Sequence, residues 1–356
     1  MPAAEPGTAP DTSGPHRADP FAPFARHARV LLAVSGGPDS TALLLLAHRW
    51  RQAGGAATEL YVATVDHGLR PTARAEAEAV GTLARELGLP HAILTLPAPL
   101  PKARLQEAAR HARYEALAAH ARAIGAGAIA TAHTLDDQAE TVLFRLLRGS
   151  GIAGLAGIPD ERGLDEGGPG GIRLIRPLLG WPKAALIEEC RRAGASFAED
   201  PSNRDPRFAR TRLRALLPSL AAEGLDAGAL ARLAARMARA EAALEAAVDA
   251  AQARLLAEGQ GMAGRLRFPR AGLTALPAEI GLRLLGRAVE SVGEGPVELG
   301  KLEALAGWLA ALRPEDTGAR TLAGALMRVN RHAVTVAPAP ARRVAAHDRQ
   351  PSARSR

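Results

Sequence analysis

The sequence predicts an α/β fold, a doubly wound parallel sheet followed by a smaller, mainly helical domain. Three observations carry this. In the first half, short apolar runs alternate with amphipathic helical patterns, the signature of parallel strands with helices on both faces. Each unusual polar cluster directly follows an apolar run, where open parallel sheets bind their ligands. From Asp226 the composition changes to a long Ala/Leu/Arg helical pattern, which marks a second domain.

The elements follow in order. Apolar runs place strands at 29–34, 60–65, 91–96, 127–132 and 173–176, and periodic patterns place helices at 40–53, 72–88, 103–124, 135–148 and 182–194. The Gly-rich, acidic segment Glu161–Gly171 reads as an exposed loop between paired segments. Beyond it, Asp200-Pro201-Ser202-Asn203 is a turn leading into a basic helix. The helix from Asp226 to Gly259 is rich in alanine without sustained heptads, so it reads as a packed linker rather than a coiled coil. Helices at 279–293 and 299–312 and a hairpin near Asn330 complete the second domain. The expected division is a disordered segment 1–22, a nucleotide-binding domain 23–218, a linker helix and substrate-binding domain 219–339, and a basic disordered tail 340–356.

With 356 residues and 47% hydrophobic content the chain can build two cores, packed mostly by Leu, Ala and Val because aromatics are 3%. A net charge of +8 implies a polyanionic partner, nucleic acid first among them. One cysteine, Cys190, excludes an internal disulfide framework and cysteine-based zinc sites. No apolar run approaches membrane-spanning length, and the N-terminus is unlike a signal peptide, so a cytoplasmic protein with no membrane partner is expected.

The chemistry begins at Ser35-Gly36-Gly37-Pro38-Asp39-Ser40, between the run Val30–Val34 and a helical pattern. Two glycines bring the backbone close, two hydroxyls add donors, and the opening helix adds free N–H groups and a positive end, so the pocket suits a phosphate. It lacks the lysine of the usual nucleotide-binding loop. A plain structural turn is the competing reading. Asp66-His67-Gly68-Leu69-Arg70 and His133-Thr134-Leu135-Asp136-Asp137-Gln138 follow the second and fourth runs, which brings three loops to one edge.

After the fourth run, Ala139, Val142, Leu143, Leu146 and Leu147 form an apolar stripe, leaving Asp137, Glu140 and Thr141 on the other face. Thr134 with Asp137 fits a capping box, which accounts for one carboxylate. The others suit Mg2+, a hard cation held by one or two carboxylates plus phosphate oxygens. Gln106, Arg110, Arg113 and Tyr114 share one side of a helix, either as a solvated face or as a clamp on phosphate or nucleobase. His67 and His133 are candidates to contact the nucleotide or carry protons, or are hydrogen-bonded loop histidines. After Asn203, Arg207, Arg210, Arg212 and Arg214 favour contact with an RNA backbone.

These segments together resemble the tRNA(Ile)-lysidine synthetase family of PP-loop ATP pyrophosphatases, which have the adenine-nucleotide α-hydrolase-like fold. The likeness rests on Ser35–Ser40, Asp66–Arg70, Arg110 with Arg113-Tyr114, Asp136–Thr141 through Arg148–Gly151, Arg176–Leu179, Asp200–Asn203 and Arg210, in order across about residues 24–218. Thr211 departs from the asparagine common there. The resemblance implies that ATP adenylates the C2 carbonyl oxygen of the wobble cytidine in a CAU-anticodon tRNA(Ile), and that free L-lysine then displaces AMP. It implies ATP contacts at Ser35, Gly36, Gly37, Pro38, Asp39, Ser40, Asp66 and His67, Mg2+ at Asp39, Asp136 and Asp137, and catalytic positions Asp39, Asp137, Arg113, His133 and Glu140. It further implies tRNA contacts at Arg110, Asn203, Arg207, Arg210 and Arg214, is compatible with a homodimer, and leads us to expect tRNA recognition without the extra C-terminal domain of longer members. Two other readings are a PP-loop tRNA thiolase, which the lone Cys190 disfavours, and a nucleotide-dependent tRNA-binding protein without turnover.

Overall fold

The computed structural model describes residues 19–54, 57–66, 68, 73–96, 105–164, 171–198, 209–259 and 264–340. Its contacts divide the chain into two units, Met1–Arg239 and Ala240–Arg356.

In the first unit a 3-10 turn (Ala22–Arg26) precedes β1 (Arg29–Ala33), α1 (Pro38–Gln52), β2 (Glu59–Asp66), α2 (Ala73–Glu86), β3 (His91–Thr95), α3 (Leu105–Ala123) and β4 (Ala128–Ala130). There follow α4 (Leu135–Leu146), the single turn α5 (Ile152–Leu155), β5 (Glu161–Gly163), β6 (Arg173–Ile175), α6 (Lys183–Arg192), α7 (Ala209–Ala222) and the start of α8 (Ala227–Gly259). The sheet order is β3-β2-β1-β4-β6-β5. Five strands are parallel, and β5 is an antiparallel edge strand with Glu161 opposite Ile175.

Alternation along each strand supplies both faces of this sheet. Val30 and Leu32 of β1, Ala128 and Ala130 of β4 and Ile175 of β6 enter one core with α1, α2 and α6. Leu31, Ile129 and Leu174 enter the other, under Tyr114, Leu117, Ala118 and Ala121 of α3. A strand buried on both faces needs apolar side chains on both, and Val30, Leu31 and Leu32 of β1 supply them in succession.

Four expectations change. The segment read as a loop from Glu161 contains β5, because its backbone completes the open edge of β6; residues 165–170 lie outside the described residues. Of the segment expected to be disordered, residues 19–22 are ordered because Phe21 is buried with Phe24 against Trp50, whose indole N–H donates to Asp19 at 3.0 Å; residues 1–18 and 341–356 lie outside the described residues. Leu146 and Leu147 are 44% and 66% exposed, because α4 ends at Leu146 and its burial is concentrated from Gln138 to Leu143. The units divide within α8 rather than at 218/219, since Leu230 and Ala234 pack with Leu213 of α7 and Ala139, Val142 and Leu143 of α4.

The second unit contains the rest of α8, β7 (Leu266–Pro269), α9 (Arg270–Thr274), α10 (Ala278–Val292), α11 (Leu299–Ala311), β8 (Gly318–Leu322), β9 (Ala325–Val329) and β10 (Ala333–Pro338). Its strands form an antiparallel sheet, β7-β10-β9-β8, of which the sequence reading anticipated the hairpin at Asn330. Phe268, Met327, Val329, Val334 and Val336 face Leu284, Leu285, Val289, Leu302, Leu305 and Leu309 of α10 and α11.

Candidate active site

The chain leaves β1 toward β2 and β3 on one side, then returns to β4 on the other. Such a reversal opens a crevice beyond the C-terminal strand ends. The loop after β1 and the segment 131–137 after β4 both enter it.

Gly36 adopts φ +85°, a left-handed conformation that glycine takes without strain. Ser40 locks the loop: its hydroxyl accepts from the Ser35 N–H at 3.1 Å and donates to the Gly37 carbonyl at 3.0 Å, and the Ser35 hydroxyl lies 3.2 Å away. That role uses the Ser40 hydroxyl inside the loop rather than toward an oxyanion. The first helical bond runs from Thr41 N–H to Gly37, and Pro38 has no N–H, so the N–H groups of Gly37, Asp39 and Ser40 have no helical partner. They and the helix dipole make an anion cradle. Ala198 N–H donates to the Gly36 carbonyl at 2.9 Å and ties a distant segment to the loop.

Asp39 sits beside the cradle. Burial raises its pKa; Lys183, whose ammonium donates to Oδ2 at 3.1 Å, opposes this, and the neighbouring carboxylates of Asp137 and Asp136 add to it. Asp39 Oδ1 is buried without a hydrogen-bond partner. Asp136 accepts the Lys183 backbone N–H at 2.8 Å, which fixes the start of α6 against α4. The expected capping box is present: Thr134 accepts from the Asp137 N–H at 3.2 Å, while one oxygen, Asp137 Oδ2, accepts from the Thr134 N–H and hydroxyl. The cap therefore occupies one side of that carboxylate.

A basic pocket adjoins the acidic one. His133 follows β4, its Nδ1 3.0 Å from the Thr131 hydroxyl. Burial drives its pKa down to about 4; Asp137 opposes this and Arg176, Arg110 and Arg113 reinforce it. Burial therefore favours the neutral imidazole of His133, a hydrogen-bonding group beside Thr131. Arg110 and Arg113 stack on the Tyr114 ring at 5.3 and 5.6 Å. Buried Arg176 donates to the Pro159 carbonyl at 2.6 Å, while its Nε and the Tyr114 hydroxyl have no hydrogen-bond partner. Buried donors left open beside three guanidiniums suit an anionic ligand.

The remaining expected site residues fall elsewhere. Glu140 is 3% exposed and accepts from Arg214 of α7 at 2.6 Å, so these two meet each other as an ion pair. Their positions read from sequence were a catalytic carboxylate and a tRNA contact. Asp66 ends β2, one strand from the loop, and accepts the Gly68 N–H at 2.9 Å in a local turn. His67, Asn203, Arg207 and the Arg210 side chain lie outside the described residues, as does that of Gln106. Lys183 is the site residue the sequence reading missed. Its signal was slight: a lysine at a helix start in a chain that has only Lys102, Lys183 and Lys301.

A lysine-free phosphate loop at the switch point of a doubly wound sheet, facing paired aspartates, defines a PP-loop nucleotide-binding protein. Consistently, residues 15–220 match the ATP_bind_3 family, described as a PP-loop domain. Proteins named tRNA(Ile)-lysidine synthase are similar over most of the chain. That of a Bradyrhizobium species is 52% identical, covering 91% of this chain and 93% of its own. The Rhodopseudomonas palustris protein is 50% identical over 91% and 94%, and that of Methylobacterium nodulans 51% over 88% and 91%. A solved U34-tRNA thiolase, NcsA from Methanococcus maripaludis with its 4Fe–4S cluster, has a TM-score of 0.50 at 18% identity, covering 60% of this chain and 73% of that one; it shares the fold. This chain belongs to the tRNA(Ile)-lysidine synthase family of ATP-using ligases.

Proposed function

We propose that the enzyme joins free L-lysine to C2 of the wobble cytidine of a CAU-anticodon tRNA(Ile). The C2 carbonyl oxygen attacks the α-phosphorus of ATP and pyrophosphate leaves. The lysine amine then attacks C2, the C–O bond to AMP breaks, and one proton is released. The carrying observation is the loop Ser35–Ser40 with its lysine replaced by the Asp39–Lys183 pair.

Each residue has a task in this reading. The N–H groups of Gly37, Asp39 and Ser40 receive the pyrophosphate as negative charge develops on it. Arg110, Arg113 and Arg176 bind the remaining phosphate charge, and His133 supplies a neutral hydrogen-bonding group. Among the described residues no three His, Cys, Asp or Glu side chains converge on one cation position. That suits Mg2+, which takes one or two carboxylates and completes its shell with phosphates and water. Asp39, through its unpartnered Oδ1, and Asp137, through the oxygen its cap leaves open, would hold it, with Asp136 in support. When bound, Mg2+ supplies charge neutralisation to the leaving pyrophosphate. Arg210, Arg207 and Asn203 with the second unit contact tRNA.

The thiolase alternative lacks a nucleophile. Cys190 is fully buried, its thiol donates to the Pro38 carbonyl at 3.3 Å, and burial first, then Asp39 and Glu189, push its pKa up to about 11. No helix among the described residues is long and apolar enough to cross a membrane, and we place the reaction in the cytoplasm, where its substrates are. The test is incubation with ATP, Mg2+, labelled lysine and tRNA(Ile) bearing CAU. Label in the wobble nucleoside supports the assignment; sulfur incorporation, or no label, refutes it.

A further inference from the structure

Gln138 directly follows Asp137 on α4 and is buried, and both ends of its amide engage one residue twenty positions away. The Ile158 N–H donates to Oε1 at 2.6 Å, and Nε2 donates to the Ile158 carbonyl at 3.0 Å. Two turns further along the same face of α4, Arg145 donates to the carbonyls of Gly154 at 2.8 Å and Gly157 at 2.9 Å. One helix face thus grips the returning segment Gly154–Ile158 by four hydrogen bonds.

The fit at Gln138 is close. Gly157 has φ +72°, and a Cβ there would stand 2.5 Å from Gln138 Oε1, so both conformation and space call for glycine. The next residue carries the grip onward. Pro159 has a fixed φ and holds Ile158 to extended backbone, so the Ile158 and Pro159 carbonyls are set together. The Pro159 carbonyl accepts from Arg176 Nη1 at 2.6 Å, and the Arg176 backbone N–H donates to the Asp160 carbonyl at 2.8 Å. Arg176 is 4% exposed and its Nε is unpartnered, so the bond to Pro159 constrains where that open donor points. A guanidinium binds an anion through a rigid fork of donors, which makes its aim part of its affinity.

We propose that Gln138 is a positioning residue: by holding Ile158 it fixes the Pro159 carbonyl, which aims the Arg176 guanidinium at the phosphate charge of bound ATP. The inference rests on the reading that Arg110, Arg113 and Arg176 bind that charge. It adds that the acidic helix start and the basic pocket are set against each other by one strap, Gly154–Pro159.

The experiment measures ATP binding by calorimetry, together with the ATP KM and kcat of lysidine formation, for full-length Gln138→Met, Arg176→Met and the double variant. Each is assayed below its melting transition. Gln138→Met should weaken ATP binding and raise KM on the order of tenfold, the loss of about one charge-assisted hydrogen bond, with kcat little changed. The double variant should be no worse than Arg176→Met alone, because without the guanidinium nothing is left to aim. Gln138→Glu keeps an acceptor for the Ile158 N–H and loses only the donor, so its ATP affinity should fall between those of the parent and Gln138→Met. It decides the question if the methionine variant does not fold: parent-like affinity there overturns the proposal. So does a variant that melts lower but keeps the parent's KM, or a pair of losses that add in the double variant, either of which leaves Gln138 a purely structural residue. If Arg176→Met binds ATP as the parent does, the phosphate role of Arg176 falls and the proposal falls with it.

Discussion

Replacing Lys183 with methionine separates the charge chemistry of the loop from its shape. The side chain is 40% exposed and Asp39 24%, so the pair stands between a surface and a buried ion pair. Exposed pairs contribute about 0–1 kcal/mol and breaking a buried one costs about 3–5, which brackets this loss at about 1–2 kcal/mol. At about 2–4 °C per kcal/mol for a unit of this size, the melting temperature should fall by about 2–8 °C. The pH dependence has a definite sign. Because burial raises the Asp39 pKa above its unfolded value, its protonated form favours the fold; that contribution is complete below the unfolded value and is lost as pH rises through the folded one. Removing Lys183 takes away what opposes the rise, so the folded value moves further up. The stability deficit should therefore fade toward acid, and the acid limb of ATP–pyrophosphate exchange should move to higher pH. Calorimetry with a pH-rate profile reads both effects. A variant with unchanged melting temperature and an unmoved acid limb would refute the view that Lys183 neutralises Asp39.

Arg214→Ala should strand the buried Glu140 carboxylate and destabilise the protein by about 2–3 kcal/mol, short of a fully buried pair because Arg214 is 46% exposed. Adding Glu140→Gln should recover much of that loss in a double-mutant cycle; additive losses would show that the pair is not coupled. His133 has a folded pKa depressed to about 4, so its stabilising contribution is full above pH 6.5 and is lost as pH falls through about 4. His133→Gln should flatten that part of the stability curve, and an NMR titration placing the parent imidazole near 6.5 would contradict it. Gly36→Ala forces a side chain into φ +85° with Val80 Cγ2 at 3.4 Å, so we expect a loss of about 1–2 kcal/mol and of ATP binding by isothermal titration. Wild-type ATP affinity in that variant would show the cradle is not where the phosphates bind.

Local pattern made the sheet readable and distant pairing made the site partly opaque. The expected strands at 29–34 and 91–96 correspond to β1 and β3 within a residue, because each is built on a short apolar run, Val30–Ala33 in β1 and Ala92–Leu94 in β3. The Thr134–Asp137 cap was equally legible, its partners being three positions apart. The Lys183–Asp39 contact spans 144 residues and the Arg214–Glu140 contact 74, and neither leaves a periodic trace. Helical spacing accordingly places Glu140 on a polar face and gives no sign of Arg214, and the catalytic role comes only from the family resemblance. β5 and β7 are three and four residues long, defined by the edges they complete rather than by composition.

The central claim is that the loop Ser35–Ser40 receives pyrophosphate. Phosphorus NMR of ATP incubated with the enzyme, Mg2+, lysine and CAU-anticodon tRNA(Ile) addresses it without assuming which base is modified. Cleavage between the α- and β-phosphates, giving AMP and pyrophosphate in step with lysine entering the tRNA, is the predicted result. Formation of ADP and inorganic phosphate would contradict it.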